Sequence, residues 1–432
     1  MDEEFVLEAV SQEELDDIAK KHEMFLSAKS GGARAYVKDK DLSGLNMKSM
    51  QLQQSDFTGC VMRNVDMSGV NFESATLFGC DLSYSKMVKS NFTRADLRGS
   101  DIQHSDLTDA NLSGADLRTG SSILRRKMKT PKDQYGQATA GNVTFNGTIL
   151  RNVNLNNVTA VNADFSDAVL EKANFYKADL RDASFKGANL LEASMDDADL
   201  RNADFHAANL MGAKLENAET SGSRFDYTLL DDSENEVFEE VDLSLDELIE
   251  RHIQWVSSAG KHGERMDLSK YDMRKLETLS GKKLTAIIAR GTVFADMNLQ
   301  SCELQSAYLD ESNFRETDLR HADMRASSFK EAVFIRANMS HANFSPLVFS
   351  DENGQEIRRL PCNFEGAIMR YANCTDGHFK EANFKNADLT HVDFTGCDLR
   401  DADFTGATLD GTTFDEAQTS GTTFDDNIDL ES

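Results

Sequence analysis

Basic residues are in short supply: 46 Lys and Arg face 74 Asp and Glu in 432 residues, giving a net charge of −28 and a pI near 4.7. A strongly basic nucleic-acid binder is therefore excluded for the chain as a whole. Proline is scarce, with only Pro131, Pro346 and Pro361. No stretch approaches the roughly 18 consecutive apolar residues of a membrane span. The opening MDEEFVLEAV is acidic and lacks the basic start and apolar run of a secretory leader, so a cytoplasmic protein is expected. The six cysteines form no CxxC pair, which leaves little basis for a zinc site or a disulfide framework. P-loop, GxSxG, HExxH, GxGxxG and EF-hand patterns are all missing, and SGKKLT near residue 280 lacks the upstream glycine of a P-loop. No catalytic, cofactor-binding or metal site is expected.

What the sequence does have is a period of five. Steps of five from Leu42 meet Met47, Leu52, Phe57, Met62, Met67, Phe72 and so on to Leu117, sixteen apolar residues without a miss. In a chain that is 40% apolar this would occur by chance on the order of once in a million times or fewer. Two residues before most centres sits a small residue; twelve alanines run in unbroken five-steps from Ala163 to Ala218. Cys60, Cys80, Cys302, Cys362 and Cys397 fall on that small position and Cys374 on the central one, as buried thiols would. Neither a helix (3.6) nor a strand (2) keeps a stripe at five. A chain that turns a corner every five residues, and returns above itself after four, does. Each coil is then twenty residues, hydrogen-bonded in parallel to the next at about 4.8 Å.

The repeat breaks twice. One run spans centres 42 to 117, is interrupted by 118–143, and resumes from Phe145 to Leu230. A second runs from about Leu284 to Phe349, is interrupted by 350–363, and resumes from Phe364 to Phe424. Between them, 231–263 repeats the N-terminus: LDDIAKKHEMFLSAKSGG from Leu15 matches LDELIERHIQWVSSAG from Leu245, pairing His22 with His252 and Phe25 with Trp255. Leu245, Leu248, Ile249, His252 and Val256 form one face of a helix. Ser11 with Glu14, and Ser244 with Glu247, are capping-box starts. The predicted helices lie near 12–28 and 244–258. The chain thus reads as a tandem duplication of helix, coils, insertion and coils. The expected segments are 1–40 (acidic start and helix), 41–230 (first array), 231–263 (acidic linker and helix), 264–425 (second array) and 426–432 (acidic tail).

Stretches such as ADLRGSDIQHSDLTDANLSGADL and ADLRDASFKGANLLEASMDDADLRNADF resemble the pentapeptide-repeat family, A-(D/N)-L-x-x, over about three-quarters of the chain. The resemblance implies an all-β solenoid, a right-handed parallel quadrilateral β-helix, here in two tandem arrays. Many bacterial members open similarly with an L-x-x-H-x-x-W helix, which implies a short capping α-helix before each array. For function the resemblance says little.

Two functional readings follow. Some relatives mimic DNA: an acidic rod occupies a type II topoisomerase (gyrase) and protects it from quinolones. Here, however, 25 acids and no base lie in 1–17, 231–250 and 410–432, leaving 49 acids against 46 bases elsewhere. A near-neutral coil surface is a poor phosphate-backbone mimic, and TTFDDNIDLES is too short for the C-terminal dimerisation helix of those relatives. The favoured reading is a non-catalytic, rigid protein-interaction scaffold whose partner is an unknown macromolecule, expected to be a protein. The insertion 118–143 is its leading contact: Arg125, Arg126, Lys127, Lys129 and Lys132 are candidate partner-binding residues, and the insertion nets +5 in an acidic chain. A tolerated insertion with solvated charges is the alternative. The second insertion keeps only Arg358 and Arg359 and nets −1. His321 and His341 stand twenty apart, hence in one column, without a third metal ligand of distinctive spacing.

Overall fold

A computed structural model describes residues 7–120, 142–231, 236–238, 244–351 and 353–425. The chain divides into two units, Met1–Asp232 and Ser233–Ser432.

In the first unit, strand β1 (Glu8–Ala9) pairs in parallel with β2 (Lys40–Asp41). Between them in sequence, helix α1 (Gln12–Leu26) starts at Ser11, whose side chain accepts the Glu14 N–H while the Glu14 carboxylate accepts the Ser11 N–H. From Tyr36 to Asp96, every fifth residue bridges in parallel to the residue twenty ahead: Tyr36 to Asp56, Asp41 to Val61, Asn46 to Asp66. The bonds alternate along each side of the coil. Leu77 N–H donates to the Asp96 carbonyl at 2.7 Å, and Asp96 N–H donates to the Ala75 carbonyl at 2.9 Å. At each corner a four-residue turn closes, as where Cys60 N–H donates to the Phe57 carbonyl at 3.1 Å across Gly59, whose φ is +73°. A positive φ at the third turn residue defines the type II family and favours Gly or Asn there.

The interior is filled by two kinds of side chain. The central Leu, Phe and Met residues from Leu42 to Leu117 are all buried, and aromatic ones stack in columns: Phe165–Phe185 and Phe185–Phe205 have ring centroids 5.0 Å apart, nearly parallel. The small inward position also takes hydroxyls and thiols, because a carbonyl is always in reach. Ser85 Oγ donates to the Met62 carbonyl at 2.8 Å, Thr317 Oγ1 to Phe294 at 2.8 Å and Cys302 Sγ to Leu279 at 2.7 Å. Each acceptor lies 23 residues back, on the coil below. A buried polar group with a partner costs little. All six cysteines are buried, and burial pushes the Cys60 and Cys302 thiols up to about 12, so they act as small core residues.

The second unit repeats the plan. Strand β3 (Glu236–Val237) pairs in parallel with β4 (Tyr271–Asp272), and helix α2 (Leu245–Ser257) carries the same capping box from Ser244 and Glu247. The coils of this unit begin at Met266 and Leu268, with Met273 and Leu279 also buried, within the expected 264–425 segment but ahead of the regular five-step that starts near Leu284. A 3-10 turn at Arg274–Leu276 adds one residue to this first coil, so Asp267 and Asp272 bridge to Ile288 and Val293, 21 ahead, before Thr278 restores twenty. That one-residue slip hides the coil from a strict five-step. Phe349, in turn, is not a central residue. The coil ends at Ser345, and Phe349 lies in an exposed antiparallel hairpin of β5 (Leu347–Ser350) and β6 (Glu356–Leu360). Pro346 and Pro361 bracket the ribbon, and lacking an N–H neither can continue a ladder.

Candidate functional site

The candidate residues Arg125, Arg126, Lys127, Lys129 and Lys132 lie outside the described residues, but the base from which their segment departs is well defined. The ladder closes beneath the insertion without a lost bridge: Asp101 pairs with Thr144, Asp106 with Ile149, Asn111 with Asn154 and Asp116 with Thr159. These partners are 43 apart instead of twenty, so 23 residues are extra. Removing 119–141 in thought joins ADLR to NVTF, a regular repeat with Asn142 at the corner position, where positive φ favours Gly or Asn. The insertion is therefore hung on one corner.

At that corner the Arg118 guanidinium holds Asp116 through two bonds, Nε to Oδ1 at 2.9 Å and Nη2 to Oδ2 at 2.7 Å, while Arg98 Nε stands 3.6 Å from the same carboxylate. Burial alone would raise the Asp116 pKa; the hydrogen bonds and charge of Arg118, with Arg98, outweigh it and hold the carboxyl below its ordinary range. Gly99 and Gly120 meet backbone to backbone, and a Cβ on Gly120 would sit 2.9 Å from the Arg98 carbonyl, so only glycine lets the chain leave here.

The second insertion is organised in the same way. Ser328 bridges to Asn363 and Val333 to Ile368, 35 apart, so fifteen residues are extra and the ladder again continues beneath them. This insertion forms the β5–β6 ribbon. Arg359 is anchored by Glu356 and by Glu381 of the neighbouring coil.

The paired histidines have a role that helical periodicity could not disclose. In each unit the ring is fully buried and bonded at both nitrogens. His22 Nε2–H donates to the Gln53 carbonyl at 2.9 Å, and Nδ1 accepts Ala35 N–H at 3.0 Å. His252 does the same with Thr285 at 2.8 Å and Met266 at 3.0 Å. This pattern requires the neutral ring with its proton on Nε2, and desolvation lowers both pKa values below the usual 6.5. Phe25 stacks on His22 and Trp255 on His252, at 5.7 and 5.9 Å. The signal in the sequence was the matched offset of His and aromatic in the two copies. His321 and His341 stack face to face at 5.0 Å, a geometry that points the ring planes, and not the nitrogens, at each other. Among the described residues no three His, Cys, Asp or Glu side chains converge as metal ligands would, and no helix is long and apolar enough to cross a membrane.

Against known proteins, the family model described as a pentapeptide repeat region matches residues 161–234 and 360–430, and that described as pentapeptide repeats (8 copies) matches 41–83, 75–114 and 312–345. No curated protein matches. Among solved structures, full-length QnrB1, a plasmid-mediated fluoroquinolone resistance protein, is similar at 18% identity over 46% of this chain and 93% of its own, with a TM-score of 0.26. HetL, a pentapeptide repeat protein involved in heterocyst differentiation regulation from Nostoc sp. Strain PCC 7120, is 16% identical over 92% of this chain and 94% of its own, with a TM-score of 0.15. A pentapeptide repeat protein from the Arabidopsis thaliana thylakoid lumen is 33% identical over 24% of this chain and 74% of its own, with a TM-score of 0.14. Superpositions this loose carry no argument; the matched repeats and the twenty-residue ladder do. The chain belongs to the pentapeptide-repeat family, with that family's right-handed β-helix solenoid fold.

Proposed function

We propose that this protein is a non-catalytic, cytoplasmic scaffold that binds another protein through its insertions, with the 118–143 segment as the leading contact. The observation that carries the reading is the unbroken ladder beneath both insertions. A rigid solenoid fixes the corner at which an extra segment departs and returns, and function gathers on such segments more than on the coils. Arg125, Arg126, Lys127, Lys129 and Lys132 would meet an anionic surface of the partner, where Arg is suited to bidentate carboxylate contacts. In this reading α1 and α2 cap the two arrays, each through its histidine, and cover core and β-edges that a solenoid otherwise exposes. The segment boundaries are then 1–40, 41–230, 231–263, 264–425 and 426–432.

Changing the five basic residues together to Gln is expected to leave the melting curve unchanged and to abolish capture of the principal partner from a host lysate. If every captured partner survives that change, the segment is a spacer. The second reading, a DNA mimic acting on a type II topoisomerase, is favoured only by the net charge of −28. Micromolar inhibition of gyrase supercoiling by the purified protein would select it over the scaffold.

A further inference from the structure

The β5–β6 ribbon has features that the coils lack. Its two strands pair only with each other among the described residues, so each has one edge of unpaired backbone N–H and C=O groups. It also exposes apolar side chains: Val348 is 46% accessible, Phe349 44% and Ile357 68%. The register sets Val348 opposite Arg359 and Phe349 opposite Arg358, and strand alternation then sorts the ribbon into two faces. One face has Val348, Ile357 and Arg359; the other has Leu347, Phe349, Arg358 and Leu360.

The two arginines are not equivalent. Arg359 is taken up by Glu356 and Glu381. Asp351 is occupied at the turn, where it accepts N–H bonds from Asn353 and Gln355 at 2.9 Å each. Arg358 has no carboxylate partner among the described residues and stands exposed beside Phe349. The ribbon thus combines an open β-edge, an aromatic side chain and a cation that has no carboxylate partner among the described residues, within two cross-strand pairs.

We propose that this ribbon is a docking site for an extended acidic segment of a partner protein. The segment adds as a third strand along a free edge, with an apolar side chain against Phe349 and a carboxylate on Arg358. Backbone bonds supply affinity in such strand addition, and alternate side chains supply selectivity. Charge complementarity selects an acidic occupant, because a cationic segment would be repelled by Arg358 and a neutral one would leave it unpaired. The site is separate from the basic insertion of the first unit and does not depend on that segment's role.

The test uses full-length protein and a fluorescein-labelled nonapeptide of alternating Val and Glu, read by polarisation. Saturable binding is expected, weakened at least about tenfold by Arg358→Glu and by Phe349→Ser, with Arg358→Lys retaining most of it. The Val/Lys counterpart should bind at least about tenfold more weakly to the parent protein. Unchanged melting curves of the variants would show that the coils are intact. Absence of saturable binding, equal binding by Arg358→Glu, or equal binding of the Val/Lys peptide would each overturn the proposal.

Discussion

The two units carry insertions at corresponding places, and the two differ where they are free to differ. In each, a buried histidine ties a capped helix to the first coils by one donated and one accepted bond. In each, the ladder passes beneath the insertion. Yet one insertion is a strongly basic segment and the other a nearly neutral β-ribbon in which Arg358 has no carboxylate partner among the described residues. The lesson is physical. Inward positions and the helix contact are fixed by packing and by buried hydrogen bonds, so both copies retain them. A segment that departs at a corner leaves the ladder beneath it unbroken and can acquire its own chemistry.

Breaking the part the units share should have the largest effect. Phe185 is fully buried between Phe165 and Phe205 in the stacked column, and Phe185→Ala is expected to cost roughly 3–5 kcal/mol in thermal or denaturant unfolding. The helix contact comes next. His22→Ala leaves Ala35 N–H and the Gln53 carbonyl without their partner, a loss of about 2–4 kcal/mol, and His252→Ala should do the same in the second unit. If only one unit responds, the two contacts are not equivalent.

The histidines also set a pH dependence. Their folded pKa values lie below the unfolded one, so the unfolded chain binds the proton first. The contribution is complete above about pH 6.5 and is lost as pH falls from there toward the lowered folded values. Unfolding midpoints of the parent should fall across that window, and those of a His22→Ala, His252→Ala double variant should fall less. The smallest effect is expected at the outward Lys186, which pairs with Asp204 at 3.4 Å on the surface: Lys186→Ala should change stability by less than about 0.5 kcal/mol. A loss equal to that of Phe185→Ala would reverse the inward and outward assignment.

These contrasts track what the sequence could disclose. The coils were legible because an inward position repeats every five residues and tolerates only small or apolar side chains. The helices were legible from Ser11 with Glu14 and Ser244 with Glu247, whose spacing is itself the hydrogen-bond pattern. The first coil of the second unit falls inside the expected 264–425 array but off the strict five-step, because one extra residue at the 3-10 turn of Arg274–Leu276 moves Met273 and Leu279 six apart. Phe349 was misplaced because an apolar residue one step beyond Phe344 satisfies the period whether or not the chain stays in the coil. The histidine contacts need three-dimensional neighbours, Gln53 and Ala35 or Thr285 and Met266, that no local pattern identifies. The candidate ligand-binding basic residues were legible only as an excess of charge where the repeat stops.

The central claim is that the solenoid is energetically indifferent to what hangs from its corner. Deletion of residues 119–141 tests it most directly, since the junction Arg118–Asn142 restores a regular repeat with asparagine at the turn position that favours Gly or Asn. Thermal unfolding of this deletion variant should have a midpoint within about 2 °C of the parent's, with an equally cooperative transition. A midpoint lowered by about 10 °C or more, or a transition that loses its cooperativity, would mean that the insertion is part of the folded core, and would contradict the account.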